Sequence, residues 1–253
     1  MRFNHIFKLT NENETHREYK CDDVNINIDF ISGSALRVAV FNDNAEMLPT
    51  FTVNPNNNLS SLGRSRLSVD GFDCVAPIVE KFENKEKFVL DCGVTVDLDL
   101  NNFILSYSKE SKLLFADRAP LAYNFEGEFG NGSYHYITRE DDEHIFGLGD
   151  KSGLINKAGQ VYRVETADSM GFDAEKTDPL YKHVPFYICE NSVGAYGIYY
   201  DTTDTSFVDL GREINNYYCH FKYFKTDDDC LVYYVFFGSK LSVLQQYARL
   251  CGK

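Results

Sequence analysis

Alternating apolar and polar positions near the start of the chain predict a β-hairpin. In residues 24–30 every second residue is aliphatic or aromatic, and Asn27 and Asp29 stand between them. A period of two is typical of a strand with one buried face and one face in water. The turn at 32–34 then leads into a return strand at 35–41 with the same alternation.

The same period continues in the middle of the chain and predicts a β-meander. Strands are expected at 93–101, 103–108, 112–117 and 134–138, whereas the Asn-rich segment 54–65 is predicted to be an exposed loop. Asp97 and Asp99 in the first of these strands resemble a D-x-D metal motif. Because the alternation already accounts for both carboxylates, we interpret them as a solvated strand face.

The last third of the chain contains more strand patterns and then changes its period. Strands are predicted at 184–190, 194–201, 216–225 and 231–237, and the acidic run Asp227–Asp229 is expected at an exposed hairpin tip. From residue 239 the apolar residues recur at helical spacing. Ser239 is the predicted N-cap of this helix and Gly252 its C-cap. The predicted apolar face consists of Leu241, Leu244, Ala248 and Cys251.

Composition supports an all-β protein and limits its partners. Hydrophobic residues make up 43% of the 253 positions and aromatic residues 15%, which favours strands. A net charge of −13 would repel phosphate groups, so we expect neither nucleic-acid binding nor binding to anionic membranes.

The cysteines and the first residues suggest a cytoplasmic location. Seven scattered cysteines form no C-x-x-C pair, so we expect reduced thiols rather than a disulfide framework or a zinc site. Residues 1–20 contain no apolar run that would serve as a signal peptide. We also expect no cofactor and no metal ion.

Residues 144–186 are the least strand-like part of the chain and the candidate functional region. A phosphate-binding loop is excluded in GLGDKSG because Asp150 replaces the glycine before Lys-Ser, and a dinucleotide fingerprint fails because Ser152 replaces its third glycine. His183 is interpreted as a structural hydrogen-bonding residue. The region is rich in carboxylates, namely Glu165, Asp168, Asp173, Glu175 and Asp178. Their spacing within one loop does not make a complete glycosidase site, which takes two carboxylates from separate elements.

Three motifs in and after this region resemble a known family. They are FGLGDKSGLINKAGQVYR at 146–163, TADSMGFD at 166–173 and DPLYKHVPFYI at 178–188, and the ending FFGSKLSVLQQYARLCGK adds to them. They resemble the N-terminal, galactose-mutarotase-like β-sandwich domain of glycoside hydrolase family 31, which includes α-glucosidases. The likeness is close over residues 144–253, and residues 1–143 share only the order of strands.

The resemblance implies an antiparallel β-sandwich that packs on a (β/α)8 barrel. Residues 1–143 would supply the first strands, 144–186 the substrate-side loop region, 187–238 the last strands, and 239–252 a helix that leads to the barrel. The family's nucleophile and general acid are barrel aspartates, so the resemblance implies no catalytic residue in this chain. It places the family's substrate-binding loop aspartate at Asp168, where a carboxylate accepts hydrogen bonds from sugar hydroxyls.

Two departures from the family pattern bear on this interpretation. Asp150 stands where the family usually has Glu, and Thr166-Ala167 stand where it usually has Asn or Arg near the loop aspartate. The second departure leaves sugar preference open. We therefore expect a non-catalytic domain whose partners are the barrel of the same polypeptide and, through it, an α-glucoside oligosaccharide.

Other functions remain open on the sequence. A stand-alone carbohydrate-binding module would use Phe172, Tyr181 and Asp168 as its platform. A mutarotase-like epimerase would need a histidine and a carboxylate in a cleft, and His183 or His135 would have to serve. A purely structural or assembly domain is a further alternative.

Overall fold

The protein is built almost entirely from strands. The computed structural model describes residues 5–124, 132–212 and 221–252 of the chain. In chain order the elements are β1 (Lys8–Glu12), β2 (His16–Cys21), β3 (Val24–Ser32), β4 (Ala35–Asn42), β5 (Ile78–Lys81), β6 (Lys85–Val89), β7 (Val94–Asp99), β8 (Ile104–Lys109), β9 (Lys112–Ala116), β10 (Tyr123–Asn124), β11 (Ser133–Thr138), β12 (His144–Gly149), β13 (Val161–Val164), β14 (His183–Glu190), β15 (Ala195–Tyr200), β16 (Ser206–Asp209), β17 (Phe221–Thr226), β18 (Cys230–Gly238) and α1 (Lys240–Cys251).

These strands form three sheets, and all of their pairings are antiparallel. The largest sheet has the order β1-β2-β3-β4-β18-β15-β14-β12. The two five-stranded sheets have the orders β10-β11-β17-β16-β13 and β5-β6-β7-β8-β9. The predicted all-β antiparallel fold with a C-terminal helix is therefore confirmed.

The main core lies between the eight-stranded sheet and the two smaller sheets. The apolar residues of the predicted 24–30 alternation point into it, and Phe30 and Phe88 meet there with ring centroids 5.0 Å apart. Phe115 stacks on Tyr196 at 4.0 Å and joins β9 to β15 in the same interior. On β7 the alternation holds as predicted, because Val96 is buried while Asp97 is exposed.

The outer face of β3 and β4 differs from the prediction because it is covered rather than wet. Asp29 is buried there against the guanidinium of Arg37, at 2.7 and 2.9 Å. Arg37 also donates to the backbone carbonyls of Arg66, Leu67 and Ser68. The long segment between β4 and β5 therefore crosses this face and replaces water as the partner of the buried polar groups.

The caps predicted for α1 are confirmed, but the prediction of its buried face is wrong. Ser239 accepts a hydrogen bond from the Ser242 backbone N–H at the N-cap, and Gly252 forms the C-cap. The buried helix residues are Val243 and Leu250, whereas Leu241 and Leu244 are 65% and 50% exposed. Within the described residues, no helix has the length and apolarity to cross a membrane.

The acidic run before β18 is only partly a bare hairpin tip. Asp227 and Asp229 are exposed as predicted, but Asp228 is buried. Its carboxylate pairs with Arg66 at 2.6 Å and accepts the Thr202 hydroxyl at 2.9 Å. Asp228 thus fastens the covering segment to the hairpin.

Some predicted features lie partly outside the residues that the structure describes. Of the strand predicted at 216–225, the structure describes Phe221 onward, and residues 216–220 with Cys219 lie outside the described part. The six cysteines that the structure describes are free thiols. The region 144–186, predicted to be the least strand-like, contains the strands β12 and β13 and the first residues of β14.

Candidate functional site

The candidate loop starts from a glycine-rich strand edge. In β12, Gly147 and Gly149 have φ values of 126° and 77°. A Cβ atom on Gly147 would lie 2.5 Å from the Phe186 carbonyl oxygen, and one on Gly149 would lie 2.3 Å from the Lys182 carbonyl oxygen. The glycines are needed for this close approach of β14 and the residue before it, at a register shift between the two strands.

A buried lysine anchors the base of the loop. The Lys151 side chain is fully buried, and its ammonium group contacts the Asp178 carboxylate at 3.0 Å and His183 Nδ1 at 3.3 Å. The Arg163 carbonyl accepts a further bond from the same ammonium group, and the Arg163 N–H donates to the second Asp178 oxygen at 2.6 Å. Burial lowers the Lys151 pKa, and the bond to Asp178 opposes this shift. The anchor joins β13, β14 and the loop between them.

His183 is a structural residue, in agreement with the sequence interpretation. Its Nε2 faces the Leu180 carbonyl oxygen at 2.7 Å and must therefore carry a proton and donate. The opposite nitrogen then accepts from Lys151. Burial, followed by the nearby Lys151 charge, lowers the His183 pKa, so the ring stays neutral and fixed in this tautomer.

Asp168 is exposed and lies in the segment 165–182 between β13 and β14, which is called the arm below. Its backbone carbonyl accepts from Met170 N–H at 3.1 Å, and the next residue, Ser169, is held by Pro179 and Tyr181. The Tyr181 hydroxyl donates to the Ser169 carbonyl at 2.9 Å. The Tyr181 pKa is raised, first by desolvation and then by the charge of the Asp168 carboxylate.

The other carboxylates of the region serve separate purposes and do not join Asp168. Asp178 belongs to the lysine anchor, and Glu165 pairs with Arg163. Asp173 forms a local turn in which its carboxylate accepts the Glu175 N–H at 2.8 Å. Asp173 and Glu175 are exposed like Asp168. Asp168 differs from them because the next residue, Ser169, is bonded to Tyr181.

The site residue that sequence reasoning missed is Lys151. In the sequence it stands only within a failed phosphate-loop motif, and nothing in its local pattern distinguishes it from a surface lysine. Its burial depends on Asp178, which is 27 residues away in sequence. A single sequence carries no signal of that contact.

A histidine–carboxylate pair does exist elsewhere, but it is sealed inside the core. His135 Nε2 and Asp117 Oδ1 are 3.0 Å apart, and the two side chains are 0% and 1% exposed. The other ring nitrogen of His135 contacts the Tyr200 hydroxyl, and Tyr123 stacks on the ring. A sugar cannot reach this pair in the observed fold, which removes the main support for an epimerase.

The strands form an antiparallel β-sandwich, and the candidate loop follows the edge strand β12 of its largest sheet. A family model agrees with this architecture. The model of the glycosyl hydrolase 31 N-terminal galactose mutarotase-like domain matches residues 25–209. The chain belongs to this family of domains. The predicted mutarotase-like sandwich is thereby confirmed.

Individual relatives match this chain over a part of much longer chains. "Alpha-glucosidase 2" of Bacillus thermoamyloliquefaciens is 28% identical over 149 residues, which is 58% of this chain and 18% of that protein. The Flavobacterium johnsoniae dextranase of the same hydrolase family, solved with glucose, matches at a TM-score of 0.80 and 21% identity. The match covers 100% of this chain and 29% of the dextranase chain.

A third relative shows that the fold accompanies more than one chemistry. The α-1,4-glucan lyase of Gracilariopsis lemaneiformis matches at a TM-score of 0.75 with 12% identity, over 99% of this chain and 30% of its own. This chain therefore spans about a third or less of the relatives named here. At these identities the solved structures establish the fold alone.

Proposed function

We propose that this chain is the non-catalytic N-terminal domain of a retaining α-glucosidase-type enzyme. In this role it supports a (β/α)8 barrel of the same polypeptide and lends the Asp168 arm to the barrel's substrate pocket. The observation that carries the proposal is the arm itself, where the exposed Asp168 precedes Ser169, whose carbonyl accepts the Tyr181 hydroxyl, on a loop that the Lys151–Asp178 pair anchors. Membership of the domain family and the resemblance to its loop support the proposal.

The chemistry of the arm suits sugar recognition. An ionised carboxylate accepts hydrogen bonds from neighbouring sugar hydroxyls, and charge-assisted bonds of this kind are stronger than neutral ones. The lysine anchor holds the loop that carries Asp168, so less conformational entropy is lost when a sugar binds. Asp168 therefore acts as a binding residue, and both reacting carboxylates belong to the barrel.

Exposed apolar side chains in the loop region and on α1 support contact with another domain. Four side chains of the loop region are large, apolar and exposed, and two leucines on α1 share this property. They are Leu154, Ile155, Met170, Phe172, Leu241 and Leu244. Apolar groups exposed in this number are expected to pack against a partner, here the barrel.

The compartment and the substrate are parts of the same proposal. The free thiols among the described cysteines fit the reducing cytoplasm. α-Linked glucosides are the proposed substrate class, because relatives are named as α-glucosidase and dextranase.

The first experiment separates binding from catalysis. The 253-residue chain is assayed with an aryl α-glucoside, and we expect no turnover. Turnover that survives the substitution Asp168→Asn would sink the proposal, because the chain would then hold a catalytic centre of its own.

The second experiment uses the full-length protein encoded by the gene. Asp168→Asn removes the charge without changing the shape, and we expect kcat/KM to fall about tenfold or more, which corresponds to about 1.4 kcal/mol of lost transition-state binding. Asp173→Asn is the matched control, because that carboxylate makes only a local turn. Equal effects of the two substitutions would contradict a role for Asp168 in the pocket.

A carbohydrate-binding module is the second candidate, and one observation favours it. Phe172 and Tyr181 are 54% and 51% exposed on the arm that carries Asp168, as a sugar-stacking platform requires. Titration calorimetry of the chain with maltose and isomaltose distinguishes the two functions. Tight binding that is lost in Tyr181→Ala would favour the module, and absent binding favours the supporting domain.

A further inference from the structure

Three metal-ligating side chains meet at the edge of the sandwich, far from the loop in sequence. His5 Nδ1 lies 3.7 Å from the Cys21 sulfur and 3.6 Å from an Asp22 carboxylate oxygen. The sulfur and the same carboxylate oxygen are 4.0 Å apart. The three ligand atoms thus form a nearly regular triangle with sides of 3.6, 3.7 and 4.0 Å.

The backbone holds these residues from two different directions. Cys21 ends β2, and Asp22 follows in the turn to β3 with φ at 53°. His5 is held by the turn between β7 and β8, because its N–H donates to the Asn102 side chain at 3.2 Å and its carbonyl accepts the Asn102 N–H at 2.7 Å. The triangle is therefore set by the fold rather than by one flexible segment.

The spacing fits a tetrahedral metal ion. Zinc binds thiolate at about 2.3 Å and imidazole or carboxylate at about 2.0–2.2 Å, so the ligand atoms of one tetrahedron lie about 3.4–3.6 Å apart. The observed separations of 3.6, 3.7 and 4.0 Å exceed these values by a few tenths of an ångström or less. A small rotation of the Asp22 side chain, which is 78% exposed, closes the longest gap.

We propose that His5, Cys21 and Asp22 supply three ligands of a zinc site. A thiolate, an imidazole and a carboxylate are a ligand set that zinc favours over magnesium or calcium. Binding replaces the thiol proton of Cys21 by the metal, and that proton passes to solvent. The sequence expectation of no metal rested on the absence of closely paired cysteines, and this site uses one cysteine only.

A bound ion would add a further link between two sheets that backbone hydrogen bonds already connect, for example from the Phe7 N–H to the Leu100 carbonyl at 3.0 Å. Cys21 belongs to the eight-stranded sheet with Asp22 directly after it, and His5 is bonded to the β7–β8 turn of a five-stranded sheet. The ion would act as a cross-link near the start of the chain. Its role is structural and is independent of the function proposed for the loop.

The test measures zinc and cobalt binding by the tag-free 253-residue chain. We expect one zinc ion per chain after dialysis, by elemental analysis. Cobalt in its place should give the sulfur-to-metal charge-transfer absorption that only a thiolate ligand produces. Loss of an outer-shell partner typically costs about 10–100-fold in affinity, so Cys21→Ser and His5→Ala should each cost at least that much.

Two further variants make the result decisive. Cys74→Ser removes another half-buried thiol and should leave binding unchanged. Asp22→Asn tests the third ligand at an exposed position where folding is not at risk, and circular dichroism checks each variant. Zinc retention that Cys21→Ser does not change, or cobalt binding without the thiolate absorption, would overturn the proposal.

Discussion

Asp29 and Arg37 form a buried ion pair on the outer face of the eight-stranded sheet. Both side chains are at most 2% exposed, and Arg37 also holds three carbonyls of the covering segment. Asp29→Ala would leave the guanidinium buried without its counter-charge, which typically costs about 3–5 kcal/mol. We expect that loss in the free energy of unfolding, measured by urea denaturation.

The matched control for this substitution lies on an exposed strand face. Asp97→Ala removes a carboxylate that is exposed on β7, and we expect a change within about 0.5 kcal/mol. Equal losses in the two variants would mean that Asp29 contributes no more than a solvated aspartate.

The contacts of His16 make part of the free energy of unfolding depend on pH. Its ring contacts Asp29 at 2.7 Å and Glu18 at 2.9 Å, and the bond to Asp29 raises the His16 pKa above its ordinary value. A raised folded-state pKa gives stability that is complete below the unfolded-state pKa of about 6.5 and is lost as pH rises through the folded value.

The measurement compares unfolding free energies at several pH values for the native chain and His16→Gln. We expect the native chain to lose more stability than the variant between about pH 6 and pH 9. Parallel curves for the two proteins would refute the linkage, and a steeper loss in the variant would reverse its sign.

Among single residues, Asp29 shows why a side chain's environment is only partly predictable from sequence. The alternation at 24–30 correctly separates inward from outward residues. However, an outward polar residue has the same pattern whether water or another segment covers it. Only the fold decides between these cases, because the covering carbonyls come from residues about 30 positions away from Arg37.

Among the elements, the edge between β12 and β14 gives the sharpest prediction. Gly147→Ala would combine a strained backbone at φ 126° with a contact of 2.5 Å to the Phe186 carbonyl. Such strained positions cost about 1–3 kcal/mol before any steric clash is added. We expect a loss of about 3 kcal/mol or more in unfolding free energy.

Gly171→Ala is the control for backbone strain alone. Gly171 also has a positive φ, at 70°, but among the described residues nothing beyond its chain neighbours lies within 4 Å of the point that a Cβ would occupy. An alanine there should cost about 1–2 kcal/mol. If Gly147→Ala costs no more than Gly171→Ala, the close approach of β14 is not what requires glycine.

The helix α1 shows how an element can be predicted while its orientation is not. The caps and the period are visible in sequence, yet α1 carries two apolar stripes. Val243 and Leu250 pack against the sheet, whereas Leu241 and Leu244 face outward. Periodicity identifies an apolar face but does not say which of two stripes the neighbouring sheet will bury.

For the whole molecule, the fold class and the longer strands are predictable from sequence. The alternation in β3, β4 and β7 is long enough to be unambiguous, whereas β5, β13 and β16 have four residues each and too few positions for a period. Asp168 is predicted by resemblance alone. The lysine anchor beneath it is not predictable, because it joins residues whose contact exists only after the sheet has formed.

The exposed apolar surface predicts how the whole chain behaves without a barrel. We expect the 253-residue chain to bind a hydrophobic dye and to self-associate in light scattering. The double substitution Leu241→Ser and Leu244→Ser should reduce both signals with little loss of stability, because both side chains are already exposed. A monomer that binds no dye would count against the docking surface.

The order of strands in the largest sheet also has a consequence for synthesis on the ribosome. β4 lies beside β18, where Phe41 pairs with Cys230. The edge of β4 therefore stays unpaired until β18 has been synthesised, which is near the end of the described chain. During that interval a long apolar strand is available to other nascent chains. Slow translation or a shortage of chaperones should therefore reduce the yield of folded protein, even if the finished sandwich is stable.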